Sequence, residues 1–218
     1  MRKTGIFLIV VGLLFLMASA ALLVYNRNED RQAGELAEQQ LSLLVEKIEE
    51  GKRGETATEP SPEEEEALEQ ELQALPSEPA DEEIRMEELQ VDGNGYIGYL
   101  SFPTLELYLP VMSDWSVQKL YTAPCHYYGT VSQGNMVIMA HNYQHHFGRH
   151  PELRAGDPVY FVNIFGETFF YEVELQEILP SDCIPQLTEG KYDLTLFTCT
   201  YGGANRITVR CNESDPPQ

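Results

Sequence analysis

The sequence predicts a mainly β domain, closed as a barrel, behind an apolar N-terminal helix and an acidic connecting segment. Three observations lead there. The chain opens with a run of 21 uncharged residues, Gly5 to Tyr25. Negative charge is concentrated just after it. From Leu89 onward, short apolar and aromatic runs alternate with turn sequences.

The apolar run comes first. As a helix it would be about 32 Å long, enough to cross a bilayer core. Ala18-Ser19-Ala20 has the character of a cleavage site, but the apolar run is longer than a signal peptide's and continues past it. Residues 1–26 are therefore expected to be a retained single-pass anchor. Arg2 and Lys3 on one flank match Arg27 and Arg31 on the other, so the terminal amine tips the balance toward a cytoplasmic N-terminus. The part of the chain that follows would then be extracellular.

The net charge is −21, and residues 27–90 hold 21 acids against 6 bases. Residues 91–218 hold 14 against 6. Such an acidic surface argues against nucleic acid as a partner, because phosphate binding needs a basic face. It also argues against charge-driven docking on anionic lipid. Within residues 27–88, Glu29 to Glu50 reads as a helix, with Leu36, Leu43 or Leu44, and Ile48 near helical spacing. Gly51 to Glu83, with Pro60, Pro62, Pro76, Pro79 and Glu63 to Glu66, is too polar and self-repelling to repay the entropy of ordering. Residues 27–88 are thus expected to be an acidic stalk, part helical and part disordered, holding the next domain off the membrane.

Residues 89–218 are expected to fold as one domain. Strand-length runs are Tyr96–Leu100, Leu105–Val111, Asn135–Ala140, Pro158–Ile164, Thr168–Ile178, Asp193–Thr200 and Arg206–Cys211. Turn sequences separate them, among them Asp92-Gly93-Asn94-Gly95, Phe165-Gly166-Glu167 and Gly202-Gly203-Ala204-Asn205. This spacing is that of a closed or nearly closed barrel. Short helical turns are expected near Ser116–Leu120 and Pro151–Arg154.

Two strand ends concentrate the chemistry. Cys199 ends an apolar strand, and a glycine-bearing turn brings the chain back with Arg206. A nucleophilic thiol needs partial exposure and nearby positive charge. A guanidinium carries five donors suited to an oxyanion. Arg210 shares the face of Arg206 but lies about 13 Å further along the strand. His141 follows the run Met136–Ala140, which would deliver its ring to the barrel rim. His141 and His145 have the spacing of two helical metal ligands, but Asn142 stands where a metalloprotease needs a Glu. No metal site and no cofactor are expected. The four cysteines, Cys125, Cys183, Cys199 and Cys211, make no dense framework, although Cys183 and Cys211 could pair.

These residues resemble a known family. Thr195-Leu196-Phe197-Thr198-Cys199 fits the TLxTC pattern around the nucleophile of sortases. Asn205 to Arg210 is similar to the strand carrying their catalytic arginine. Ala140-His141-Asn142, Phe147-Gly148 and Gly156 to Val159 resemble the segment around their histidine. The resemblance covers about residues 89–218. It implies an eight-stranded sortase barrel and acyl transfer at an LPXTG-like signal near the C-terminus of secreted protein substrates. Cys199 would be the nucleophile, His141 the acid–base and Arg206 the oxyanion partner, with Thr198 as a substrate contact. The acceptor would be a cell-wall precursor or pilin amine, and the setting a Gram-positive surface. The Cys-to-Arg turn is shorter than in many members, and the connecting segment lacks an Asp-Pro-aromatic lid. The short turn leaves the subclass open, and the missing lid favours housekeeping anchoring or a specialised substrate over pilin polymerisation. A cysteine hydrolase of the same fold and a non-catalytic, membrane-tethered binding module are the alternatives.

Overall fold

The computed structural model describes residues 2–55 and 86–217. The first element is one unbroken helix, α1 (Arg2–Glu55). The barrel domain contains β1 (Leu89–Val91), β2 (Asn94–Phe102), β3 (Leu107–Met112), α2 (Val117–Leu120), β4 (Cys125–Tyr128), β5 (Met136–Met139) and β6 (Pro158–Asn163). It continues with β7 (Thr168–Pro180), α3 (Ile184–Thr188), β8 (Leu194–Cys199) and β9 (Asn205–Glu213).

Eight strands close the barrel in the order β2-β3-β4-β5-β8-β9-β7-β6, with β6 pairing back onto β2. The predicted eight-stranded architecture is therefore present, and β1 adds a short strand beside β2. The β1–β2 turn fits its sequence. Asp92 and Gly93 sit at φ 47° and 77°, and Val91 pairs with Asn94. Two successive positive φ values match the right-handed twist of the flanking strands. Gly98 serves a different need: a Cβ there would lie 2.0 Å from the Val162 carbonyl oxygen, so only glycine lets β6 approach β2 this closely.

The interior is filled by alternate residues of the strands, including Leu100, Phe102, Leu109, Val111, Ile138, Phe161, Leu194, Leu196 and Val209. The helical turn expected near Ser116 is α2, whose start is capped by the Ser116 hydroxyl accepting from Lys119 N at 3.1 Å. The second lies at Phe147–Glu152 and has 3₁₀ geometry. Strands β1 and β4, of three and four residues, carry too little periodicity to stand out in sequence.

Residues 27–55 depart from the expected free-standing stalk. α1 lies along the barrel and buries Ala33, Ala37, Gln40, Leu44 and Ile48. Three of these were not expected at a contact, because small and polar side chains carry no hydrophobic signal. Gln40 is nonetheless satisfied: it accepts from the Tyr96 hydroxyl at 3.1 Å and donates to Asp92 at 3.3 Å. Lys47 Nζ donates to the Gln90 carbonyl at 2.7 Å. The proline-rich segment 56–85, also assigned to the stalk, lies outside the described residues. In the apolar part of α1, by contrast, large side chains from Phe7 to Tyr25 are exposed.

Cys183 and Cys211, considered above as a pair, are both free. Cys211 is inside the barrel, while Cys183 packs on its outer face with Val137, Leu187 and Phe197. The sheet separates them, so no bond can form without unfolding it.

Candidate active site

The site is built on the ends of three adjacent strands. β5 and β8 run parallel, with Met136 to Met139 opposite Leu194 to Phe197. Both therefore finish at the same rim. His141 lies two residues past Met139, and Cys199 two residues past Phe197. β9 returns antiparallel to β8 and places Arg206 directly opposite Cys199. Opposed residues in an antiparallel pair project to the same face. The thiol and the guanidinium thus share the outer face of the barrel. The turn between them is closed by Thr200 N donating to the Asn205 carbonyl at 3.0 Å.

Cys199 is half-buried, whereas Cys125 and Cys211 are fully buried. Burial pushes the Cys125 thiol up to about 12 and raises that of Cys211 as well, so neither supplies a thiolate near neutral pH. Arg206 is also partly exposed, and its Nη1 donates to the Gly203 and Asn205 carbonyls at 3.0 and 3.2 Å. Those partners belong to its own turn.

Arg210 is committed elsewhere. It pairs with Thr195, four residues before Cys199. Its guanidinium donates to Glu177 at 2.8 Å, to Thr195 Oγ1 at 3.0 Å and to the Gln186 carbonyl at 2.8 Å. It also lies over the Tyr192 ring. These contacts form one wall of a cavity of about 190 Å³ on the same face. They hold the guanidinium at Thr195, four residues short of Cys199 along the strand.

His141 is held between two tyrosine rings, Tyr121 at 4.9 Å and Tyr143 at 5.1 Å between centroids. Burial lowers its pKa, opposed by the Glu29 carboxylate on α1. Its Nε2 is buried without a hydrogen-bond partner. The His141–His145 segment is not helical, which removes the helical ligand geometry considered above.

Thr198 needs correcting. It points into the barrel, on the face opposite Cys199, and is 1% exposed. Its hydroxyl donates to the Ala140 carbonyl at 2.8 Å. Instead of meeting substrate, it ties the strand bearing Cys199 to the residue before His141. Sequence reasoning also missed Tyr121, Tyr143 and the approach of α1, since none of them lies in a strand-end motif.

A closed barrel presenting a half-buried thiol opposite a guanidinium, with an imidazole at the neighbouring strand end, has the layout of a cysteine-dependent acyl-transfer protein. A family model described as the sortase domain matches residues 100–214, and the chain belongs to the sortase family. Solved structures agree. Sortase C1 from Streptococcus agalactiae is 26% identical, covering 61% of this chain and 74% of that one, with a TM-score of 0.53. A pilus-related sortase C of Group B Streptococcus is 28% identical over 62% of this chain and 77% of its own, with a TM-score of 0.51. A Clostridium perfringens sortase D5 transpeptidase is 16% identical, covering 83% and 99%, and its TM-score of 0.55 supports the fold alone. No curated protein sequence matches the chain.

Proposed function

We propose that this sortase is a membrane-anchored cysteine transpeptidase using Cys199, His141 and Arg206. The observation that carries the reading is the register of β8 and β9, which sets Cys199 against Arg206 at the rim where β5 delivers His141. His141, whose burial favours the neutral ring, takes the Cys199 proton. The thiolate attacks the Thr carbonyl of an LPXTG-like signal in a secreted protein. Arg206 leaves its own turn carbonyls and donates to the oxyanion. As the peptide C–N bond breaks, His141 returns the proton to the leaving amine, and a thioester remains on Cys199. An amine from a cell-wall precursor or a pilin lysine then attacks the thioester. His141 accepts its proton, the new amide leaves, and the thiolate is regenerated.

In this reading residues 1–26 anchor the chain, with the N-terminus cytoplasmic and the barrel on the outer surface of a Gram-positive cell. The apolar face of α1 fits that role, being long enough to span a bilayer and unburied over its apolar length. The test is product analysis. The full chain, solubilised in mild detergent, is mixed with sorting-signal peptides with and without an amine. An amide product that depends on added amine supports transpeptidation. Hydrolysed peptide whose yield ignores the amine would make the protein a hydrolase of the same fold.

A further inference from the structure

Gly34 stands well inside α1, where glycine is among the poorest helix formers. Its neighbour explains it. The His145 side chain lies so close to the helix that a Cβ on Gly34 would be 2.6, 2.8 and 2.9 Å from its Cγ, Cβ and Cδ2. One turn back, Asp30 grips the same residue twice. The His145 backbone N–H donates to Asp30 Oδ1 at 3.2 Å, and His145 Nδ1 lies 3.2 Å from Asp30 Oδ2. The backbone bond holds whatever the charge on the ring. Asp30 is also shielded, its side chain being 20% exposed. One turn on, Ala37 is buried in the same apolar cluster as Phe147.

His145 belongs to the loop that carries His141. Residues 141–148 form one closed turn. The His141 carbonyl accepts from Phe147 N at 3.2 Å, and the Tyr143 carbonyl accepts from His146 N at 2.9 Å and from Gly148 N at 2.8 Å. Gly148 permits this compactness, since a Cβ there would lie 2.5 Å from the Asn142 carbonyl oxygen and 2.6 Å from that of Tyr143. The Tyr143 ring meets two others, His141 at 5.1 Å and the buried His146 at 5.6 Å between centroids. Close-packed groups transmit displacement. A shift imposed at His145 is therefore passed to Tyr143 and His141.

We infer that Asp30 and Gly34 are positioning residues for His141: α1 fixes the outer corner of its loop and, through Tyr143, sets where the imidazole stands at the rim. This rests on reading His141 as the acid–base of acyl transfer. Neither residue touches the reacting atoms. Both act through His145, which the helix holds from two sides. Proton transfer needs hydrogen-bond reach, and a misplacement of about 1 Å can cost about 10²-fold in rate. The helix that leads out of the apolar segment is thereby part of the site's support as well as a tether.

The full chain in mild detergent is assayed for amide formation from a sorting-signal peptide and an amine, and hydrogen exchange of the 141–148 amides is followed by mass spectrometry. Asp30→Ala should exchange faster across this loop and lose about 10- to 100-fold in kcat with KM unchanged. Asp30→Asn, whose side-chain oxygen still accepts the His145 N–H, should recover most of that loss. Gly34→Ala should lower kcat in the same way although alanine favours the helix, which separates displacement of the loop from weakening of α1. Parental exchange in Asp30→Ala overturns the inference, as does faster exchange with parental kcat. Asp30→Asn as slow as Asp30→Ala also overturns it, since charge and not the hold on the loop would then be responsible. A parent chain that forms no amide removes the proposed function and the positioning role with it. An active parent with unaffected variants removes the positioning role alone.

Discussion

The two arginines of β9 give the sharpest separation of catalytic from structural roles. Arg206 lies opposite Cys199 and bonds only carbonyls of its own exposed turn. Replacing it by Ala removes one donor set aimed at the oxyanion, which typically costs about 10²–10³ in rate, or about 2.7–4 kcal/mol of transition-state stabilisation. Folding stability should hardly change, because water can replace those turn contacts. Arg210 is 3% exposed and is held by Glu177, Thr195 and the Gln186 carbonyl. Arg210→Ala strands three acceptors, and breaking a buried pair of this kind costs about 3–5 kcal/mol. Partial exposure of Glu177 puts the expected loss at the lower end. The assay pairs peptide turnover with urea unfolding of each variant under the same conditions. The reasoning is refuted if Arg206→Ala turns over normally, or if Arg210→Ala loses turnover while remaining as stable as the parent.

Other expectations follow from packing and titration. His146 and His150 are fully buried, and burial drives their pKa values down to about 4 and about 3. Both lie below the free value of about 6.5, so the unfolded chain takes up each proton first as pH falls. Stability is complete above about pH 6.5 and should drop by about 2 kcal/mol per histidine by pH 5, measured as urea midpoints across pH. His150→Leu should flatten that acid limb, and an unchanged slope would disprove the assignment. Leu44→Ala in α1 should cost about 2–5 kcal/mol, because Leu44 is wholly buried against the barrel. A neutral effect on denaturant unfolding would mean that α1 does not dock. Gly98→Ala should destabilise by more than the 1–3 kcal/mol or so of a strained backbone, since its Cβ would strike the Val162 carbonyl. An unfolding midpoint equal to the parent's would contradict the close β2–β6 approach.

Much of the barrel was legible because its long strands end where the sequence changes character. Cys199 and Arg206 could be paired from a single turn, whose length and glycines leave few other registers. His141 could be placed at the rim for the same reason, as it follows a strand of four apolar residues. What failed was contact made without hydrophobic bulk. Ala33, Ala37 and Gln40 dock α1 through close approach and a satisfied buried amide, neither of which leaves a periodic apolar signal. Thr198 misled because a motif position marks that a residue matters, not which way it points. Alternation along β8 turns it inward, where its hydroxyl serves the Ala140 carbonyl. Tyr121 reaches His141 from a separate loop, and Tyr143 through the bend of His141's own loop.

The most direct test of the account is the site of acylation. The full chain and Cys199→Ala are each mixed with a sorting-signal peptide without amine, and intact masses are recorded before and after amine is added. The account predicts an acyl adduct on the parent protein, mapped to Cys199, discharged by the amine and absent from the variant. An adduct that persists in Cys199→Ala, or that maps to Cys125, Cys183 or Cys211, would contradict it.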